Sequence, residues 1–388
     1  MLLHKKKIVI FTSNRSDYGI FRPLLLELER DKFFDFGLIV GGSHLSKKFG
    51  YSINDIKLDN FKIFKVLQKF VEANNPLEIC NSVSKNINMI SSALTKLKPE
   101  LILLLGDRFE TFCAAQSSMI LNIPIAHLHG GESTEGAIDE AIRHSITKMS
   151  HFHFVSTDKY KKRVIQMGEK EKNVISVGSL ILENLEKKNL LTRIEIEKKL
   201  GIRFSDKVFL ISFHPETIYF ERNSEAINEI IKALSNYNKV TMIFTSPNCD
   251  TLNKVIIMKI KEYVSKNKNA YFFQHFGSDL YLSLLKVCNL IIGNSSSGII
   301  EAPSLKTPTI NLGKRQQGRV GADSVINSKI VCNEIIQKIN LGLSDKFINR
   351  SFIFKNPYKK KNTAKKIITF LKKIDFNTEI LVKQFNDL

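Results

Sequence analysis

LILLLGDRFETF (101–112), IPIAHLHGGESTEGAIDEAIRHSITKMS (123–150) and HFHFV (151–155) decide the fold. Leu101–Leu105, Ile123–Ala126 and Phe152–Val155 are short apolar runs without polar alternation, the pattern of strands buried on both faces. Between them, Phe109–Leu121 has helical spacing. So has the segment in which Ile138, Ala141, Ile142, Ser145, Ile146 and Met149 recur at three- and four-residue steps. Strand, helix, strand, helix, strand predicts a parallel sheet. Polar groups gather at the strands' carboxyl ends: Gly106-Asp107-Arg108 after the first, then His127, His129 and Gly130-Gly131-Glu132. In open α/β sheets that edge binds ligands. Asp139 and Arg143 stand one helical turn apart and could be a mere exposed ion pair. With Asp107, Glu132 and two histidines at the same edge, they read as part of a catalytic cleft.

The chain has 388 residues, 43% of them hydrophobic, enough for two domains of ordinary size. No stretch approaches the roughly 18 apolar residues of a membrane span, and the start, MLLHKKKIVIFTS, runs straight into a strand. A soluble, cytoplasmic protein is expected, with no membrane partner. The five cysteines (Cys80, Cys113, Cys249, Cys288 and Cys332) lack paired metal spacing and mostly lie in apolar runs, as reduced buried thiols do. Lys and Arg total 58 against 38 Asp and Glu, a formal charge of +20. The lysines are spread along the whole length and no nucleic-acid module is visible, so the charge suits steering of an anionic nucleotide substrate rather than polynucleotide binding.

Lys7–Thr12 reads as a first strand, followed by the loop Ser13–Asp17 and a helix from Tyr18 to Arg30. This is the layout of a nucleotide-binding half-domain, although G-x-G-x-x-G is absent. Asp35–Val40 is a second strand, ending at Gly41-Gly42-Ser43-His44. Leu77–Leu97 is helical, Val174–Val177 is a short strand, and Glu183–Gly201 is a charged helical connection. A second series of strands follows at Val208–Phe213, Val240–Thr245, Ala270–Phe273, Leu290–Ile292 and Thr309–Leu312. Two βαβ series predict two domains with facing carboxyl edges and a cleft between them. Lys359–Ile374 reads as a basic amphipathic helix capping a domain, with Ile367, Ile368, Leu371 and Ile374 on one face.

A second set of chemical groups lies at strand ends of this later series: His214 in SFHPET, Asn248 in TSPNCD, and Gly293-Asn294-Ser295-Ser296-Ser297-Gly298 before a helical stretch holding Glu301. Serines at a helix start can be simple caps. They also expose N–H groups and hydroxyls that cradle phosphate, while a carboxylate one turn on can accept from ribose hydroxyls. Lys314-Arg315-Gln316 after the next strand favours the diphosphate reading. No histidine, cysteine or carboxylate set has zinc spacing, and NSSSG is not a G-x-S-x-G elbow. Carboxylate and histidine acid–base chemistry on a nucleotide-linked substrate, without metal or cofactor, is the expectation.

The motifs NRSDYG, GGSHL, LLGDRFE, HLHGGESTEG, DEAIRHSITKMSHFHF, FHPET, GNSSSGIIE and INLGKRQQGR resemble, in order and spacing, those of the hydrolysing UDP-N-acetylglucosamine 2-epimerases of bacterial sialic acid and related nonulosonate pathways. HGGESTEG matches the hydrolysing branch rather than its non-hydrolysing cousins. The resemblance covers roughly Lys7 to Ile374. It implies a GT-B fold, an α/β architecture of two Rossmann-like doubly wound domains: 1–180 on the sugar side, 181–360 for UDP, and 361–388 as a helix returning to the first. It assigns Asp107, Glu132, Asp139, Arg143 and His214 to the active site and His44 to the sugar side. Arg15 becomes a diphosphate or uridine-side contact, with Ser295 and Ser296 on the phosphates and Glu301 on the ribose. Phe273–Ser278, with Phe276, stands at the uracil loop, and Asn248 and Arg315 complete the substrate set. Near the tail, Asn356-Pro357-Tyr358-Lys359-Lys360-Lys361 departs from the family's glycine-and-acid text. The implied reaction takes UDP-N-acetylglucosamine and water to N-acetylmannosamine and UDP by elimination and hydration, a hydrolase-type reaction at the glycosidic carbon. The same chemistry on UDP-2,4-diacetamido-2,4,6-trideoxyglucose is the nearest alternative, and a GT-B glycosyltransferase or nucleotide-sugar sensor the more distant ones. A homo-oligomer, dimer or tetramer, is expected.

Overall fold

Runs such as Leu101–Leu105 have no polar face to offer water, so each must sit in mid-sheet with helices on both sides. The computed structural model, which describes residues 5–47, 50–68, 75–216, 220–247, 253–351 and 353–387, places them so. The chain divides into two units. One comprises Met1–Glu132, Asp139–Asn184 and Lys360–Leu388, and the other Ser133–Ile138 and Leu185–Lys359.

The first unit holds β1 (Lys6–Thr12), β2 (Phe34–Val40), β3 (Ile63–Val66), β4 (Leu101–Leu105), β5 (Ile125–Leu128), β6 (Phe152–Val155) and β7 (Val174–Ser176). They form one parallel sheet in the order β3-β2-β1-β4-β5-β6-β7. Successive residues of each strand go to opposite faces. Ile8, Ile10, Leu101, Leu103, Ala126 and Phe154 meet Leu24, Leu28, Ile367 and Leu371 on one side. Val9, Phe11, Ile102, Leu104 and Ile125 meet Ile90, Leu94, Ala114, Ile142 and Ile146 on the other. β5 starts two residues later than its apolar run suggested. Pro124 has no N–H for the ladder, and its carbonyl accepts from Ile102 N instead. The shift brings His127 into the strand. The helix after β1 starts at Arg15 rather than Tyr18, because Asn14 is its cap and accepts from Asp17 N at 3.0 Å. The tail helix is shorter than expected, Thr363–Leu371, and lays Ala364, Ile367, Ile368 and Leu371 into the first core.

The second unit holds β8 (Lys207–Ser212), β9 (Val240–Thr245), β10 (Ala270–Phe273), β11 (Leu290–Gly293), β12 (Thr309–Leu312) and β13 (Val325–Ser328). These too are parallel, in the order β10-β9-β8-β11-β12-β13. Phe209, Ile211, Met242, Phe244, Leu290 and Ile292 pack on Ile227, Ile230, Ile335 and Ile339. Val208, Leu210, Ile243 and Ile291 pack on Ile196, Leu284 and Leu285. The charged connection is two helices, Leu180–Lys187 and Arg193–Leu200, the second opened by a Thr192–Glu195 capping box. No helix among the described residues is long and apolar enough to cross a membrane. Cys113, Cys288 and Cys332 are buried free thiols and Cys80 is exposed; Cys249 and the candidate Asn248 lie outside the described residues.

Candidate active site

Strand order reverses between β1 and β4 in the first sheet and between β8 and β11 in the second. Such switch points part the loops at the carboxyl edge and leave a crevice for a ligand. In each unit the candidate residues cluster there.

In the first unit, Arg143 is the organising charge. It is 1% exposed, yet it carries a guanidinium that must be paired. Its Nη2 meets the Asp107 carboxylate after β4. Its Nη1 donates to the Glu132 carbonyl at 3.0 Å and to Glu140 Oε2 at 3.3 Å. The guanidinium thus forms an ion pair with Asp107, 36 residues away in the chain. Asp139 and Glu140 open the helix Asp139–Met149, where carboxylates suit the dipole. Glu132 is itself 1% exposed. Its Oε1 is 2.7 Å from His129 Nδ1 and accepts from Ser156 Oγ at 2.7 Å. His127 is bound on both sides, to the Gly106 carbonyl at 2.8 Å and to Thr147 Oγ1 at 3.3 Å. Burial drops it to about 3, so it is neutral.

At the β1 end, burial raises Asp17 to about 6 against the pull of Arg108, while Asn14 and Ser13 hydrogen-bond its carboxylate. Arg15 is half-exposed and pairs with Asp55 at 3.2 Å. His44 is fully buried. Its Nε2 lies 2.9 Å from Thr12 Oγ1 and its Nδ1 2.8 Å from Ser52 Oγ, so both ring nitrogens are occupied. Burial and then Arg15 lower it to about 3.

In the second unit, β11 and β8 come so close that a Cβ at Gly293 (φ +143°) would collide with the Ser212 carbonyl. Only glycine fits. That approach puts Asn294 against His214: it accepts from His214 N at 2.7 Å and donates to the His214 carbonyl at 2.9 Å. The Asn294 carbonyl in turn accepts from Arg315 Nη1 at 3.1 Å and Gln316 Nε2 at 2.9 Å. Burial first, then Arg315, holds His214 well below its ordinary value. Ser295 Oγ and Ser297 Oγ are 3.0 Å apart, and the Tyr281 hydroxyl bonds to Ser297. Burial pushes Tyr281 up to about 12. Ser296 caps a helix of only four residues, Ser297–Ile300, and Glu301 sits at its joint with Ala302–Leu305. So short a helix adds little dipole, which leaves hydroxyls, backbone N–H groups and Arg315 as the features that suit an anion. Phe276 packs between Phe273 and Tyr281, with ring centroids at 5.2 and 6.5 Å. A separate cavity of about 640 Å³ is lined by Glu216, Arg222, Glu229, Lys314 and Lys329 among others; of the residues singled out from sequence it includes Lys314 but not His214, Ser295, Ser296, Glu301 or Arg315.

Sequence reading passed over Tyr281, whose YLSLL context looks like ordinary core, and over the pairing of His129 with Glu132. The glycines of HLHGGE were the available signal for the second. They let the chain double back so that residues three apart face each other outside a helix.

Comparison with known proteins identifies the family and the fold. The family profile described as UDP-N-acetylglucosamine 2-epimerase matches residues 26–372. The chain is 39% identical over its full length, and that of its relative, to the GDP/UDP-N,N'-diacetylbacillosamine 2-epimerase (hydrolyzing) of Campylobacter jejuni. It is 38% identical to the polysialic acid biosynthesis protein P7 of Escherichia coli, over 99% of this chain and 98% of that one. In fold it is similar to the crystal structure of UDP-GlcNAc 2-epimerase from Neisseria meningitidis bound to UDP-GlcNAc, with TM-score 0.80, 20% identity, and 95% and 100% of the two chains covered. The two parallel α/β sheets are those of the GT-B class, and the chain belongs to the hydrolysing UDP-N-acetylglucosamine 2-epimerase family.

Proposed function

We propose that this hydrolysing 2-epimerase acts on a UDP-2-acetamido sugar, expelling UDP across C1–C2 and hydrating the resulting glycal to the free C2 epimer. Full-length identity of 39% with a hydrolysing enzyme is the observation that carries this reading. The chemistry asks for two things. The weakly acidic C2 proton needs a positioned base, and the departing diphosphate needs cationic and N–H partners. The groups at the β4 and β5 ends suit the first: Asp107 and Arg143, with His129 and Glu132 beside them and Asp139 opening the next helix. The Ser295–Ser297 loop with Arg315 and His214 suits the second, and Glu301 suits a ribose.

UDP-N-acetylglucosamine, giving N-acetylmannosamine, is the first substrate reading, supported by the family description and by the relative named for polysialic acid biosynthesis. UDP-N,N'-diacetylbacillosamine is the second, favoured by the names of relatives at 39% and 31% identity. Purified protein incubated with each sugar, with products identified by NMR, tests both. One sugar should release UDP and a free 2-epimer without any acceptor. Release from neither sugar would contradict the reading, and turnover only with an added acceptor would favour a glycosyltransferase.

A further inference from the structure

His129 ends the β5 segment in an unusual state. Its backbone is left-handed, φ 64°, a conformation uncommon outside glycine. Its amide N still pairs with the Phe154 carbonyl at 3.0 Å, so the position is anchored to β6. The ring is buried, 8% exposed. Nδ1 is committed to Glu132 at 2.7 Å. Nε2, by contrast, is buried with no hydrogen-bond partner among the described residues. Buried polar atoms are nearly always satisfied, and strained backbone with an orphaned donor or acceptor concentrates at functional sites. Glu132 is the reverse case. It is more deeply buried than His129, and the same carboxylate oxygen serves both His129 and Ser156. A carboxylate so enclosed orients and stabilises a ring better than it reaches a substrate.

We propose that His129, rather than Glu132, is the catalytic residue that removes the C2 proton in the elimination, and that Glu132 is its positioning residue. This rests on the elimination reading of the reaction. The Glu132 carboxylate accepts the Nδ1 proton and so fixes the tautomer with a lone pair on Nε2. In the step, Nε2 takes the C2 proton, the C2–H pair becomes the C1=C2 double bond, and the C1–O pair leaves on the β-phosphate of UDP. The resulting imidazolium is balanced by the buried Glu132. Charged or titratable groups on the neighbouring elements include His127 on β5, which interacts electrostatically with both His129 and His153 of β6, Arg143 on the helix Asp139–Met149, which donates to the Glu132 carbonyl at 3.0 Å, and Arg163 on the helix Asp158–Gln166, which donates to the Gly131 carbonyl at 2.7 Å.

The test is steady-state kinetics across pH on the wild type, His129→Gln and Glu132→Gln, with UDP affinity by calorimetry as the check on folding. His129→Gln should lower kcat by at least about a hundredfold, as for a lost general base, with KM and UDP affinity within about twofold. Its profile should lose the acid limb. Glu132→Gln keeps a partner for the ring but removes the charge that stabilises imidazolium. It should lower kcat at unchanged KM and move the acid limb to lower pH, which a purely structural role would not do. Wild-type turnover retained by His129→Gln overturns the dyad alone and leaves the reaction standing. If His129→Gln fails to fold, an unshifted profile in Glu132→Gln overturns the dyad equally well. A wild type that releases UDP from neither sugar overturns the reaction reading, and the dyad with it.

Discussion

At the scale of single residues, the candidate sites are held by charges and amides that have been taken out of water and paired. Arg143 shows the principle: one guanidinium ties Asp107, Glu140 and the Glu132 backbone together, so its position is over-determined. Glu301 gives the most direct residue-level prediction. If it accepts from ribose hydroxyls, Glu301→Ala should weaken UDP binding by about 1–3 kcal/mol, the range for a charge-assisted hydrogen bond. Calorimetry with UDP alone measures this, and unchanged affinity in a folded variant would remove Glu301 from the nucleotide site. Residue types and their places at strand ends were readable in the sequence, since Asp107, Glu132, His214 and the serines all fall where a parallel sheet would put ligand contacts. Their pairings were not. Asp107 and Arg143 are 36 residues apart, and no local pattern links them. His44 likewise reads as a polar group after a strand, on the sugar side by resemblance, yet Thr12 and Ser52 occupy both its nitrogens.

At the scale of elements, continuous apolar runs revealed the central strands, while one edge strand of each sheet stayed hidden. Ile63–Val66 and Val325–Ser328 close one edge of each sheet. They are short and partly exposed, with Lys65 in one and Asn327 in the other. An edge strand needs only one covered flank, so its sequence carries a weaker hydrophobic signal. The tail helix was legible because its apolar face has a strict helical step. Thr363 Oγ1 donates to the Val177 carbonyl at 2.8 Å and Ala364 N to Glu183 Oε2 at 2.9 Å, fixing its start. Ile367 and Leu371 are fully buried in the first core. Leu371→Ala should therefore destabilise the first unit by about 2–5 kcal/mol, the range for a deleted core leucine. Urea unfolding checks this. A loss below about 1 kcal/mol would mean the helix packs loosely.

At the scale of the whole molecule, burial lowers five histidines among the described residues: His44 and His127 to about 3, His151 to about 4, His214 well below its ordinary value, and His153, beside Glu169, less decisively. His44, His127, His151 and His214 gain a proton in the unfolded chain near 6.5 but not in the folded one, so the unfolded state binds more protons as pH falls below that value. Stability must then fall with pH. Asp17 works the other way, since its folded value is raised to about 6 and it adds stability as pH drops through that range. The histidines outweigh it. Between pH 6.5 and 5.5 the protein should lose on the order of 4 kcal/mol, at up to about 1.4 kcal/mol per unit for each histidine. Urea unfolding at the two pH values tests this, and a flat profile would mean that these rings are not held neutral in the fold. The central claim concerns the reaction, and an isotope experiment tests it most directly. Elimination and hydration must bring a solvent proton to C2 and break the bond between C1 and the departing phosphate oxygen. With the accepted UDP-sugar in deuterated water, the free 2-epimer should carry deuterium at C2 with one UDP released per sugar. In oxygen-18 water the label should enter the C1 hydroxyl and not the β-phosphate. A UDP-linked epimer accumulating without free UDP, or a released sugar that keeps its C2 protium, would contradict the account.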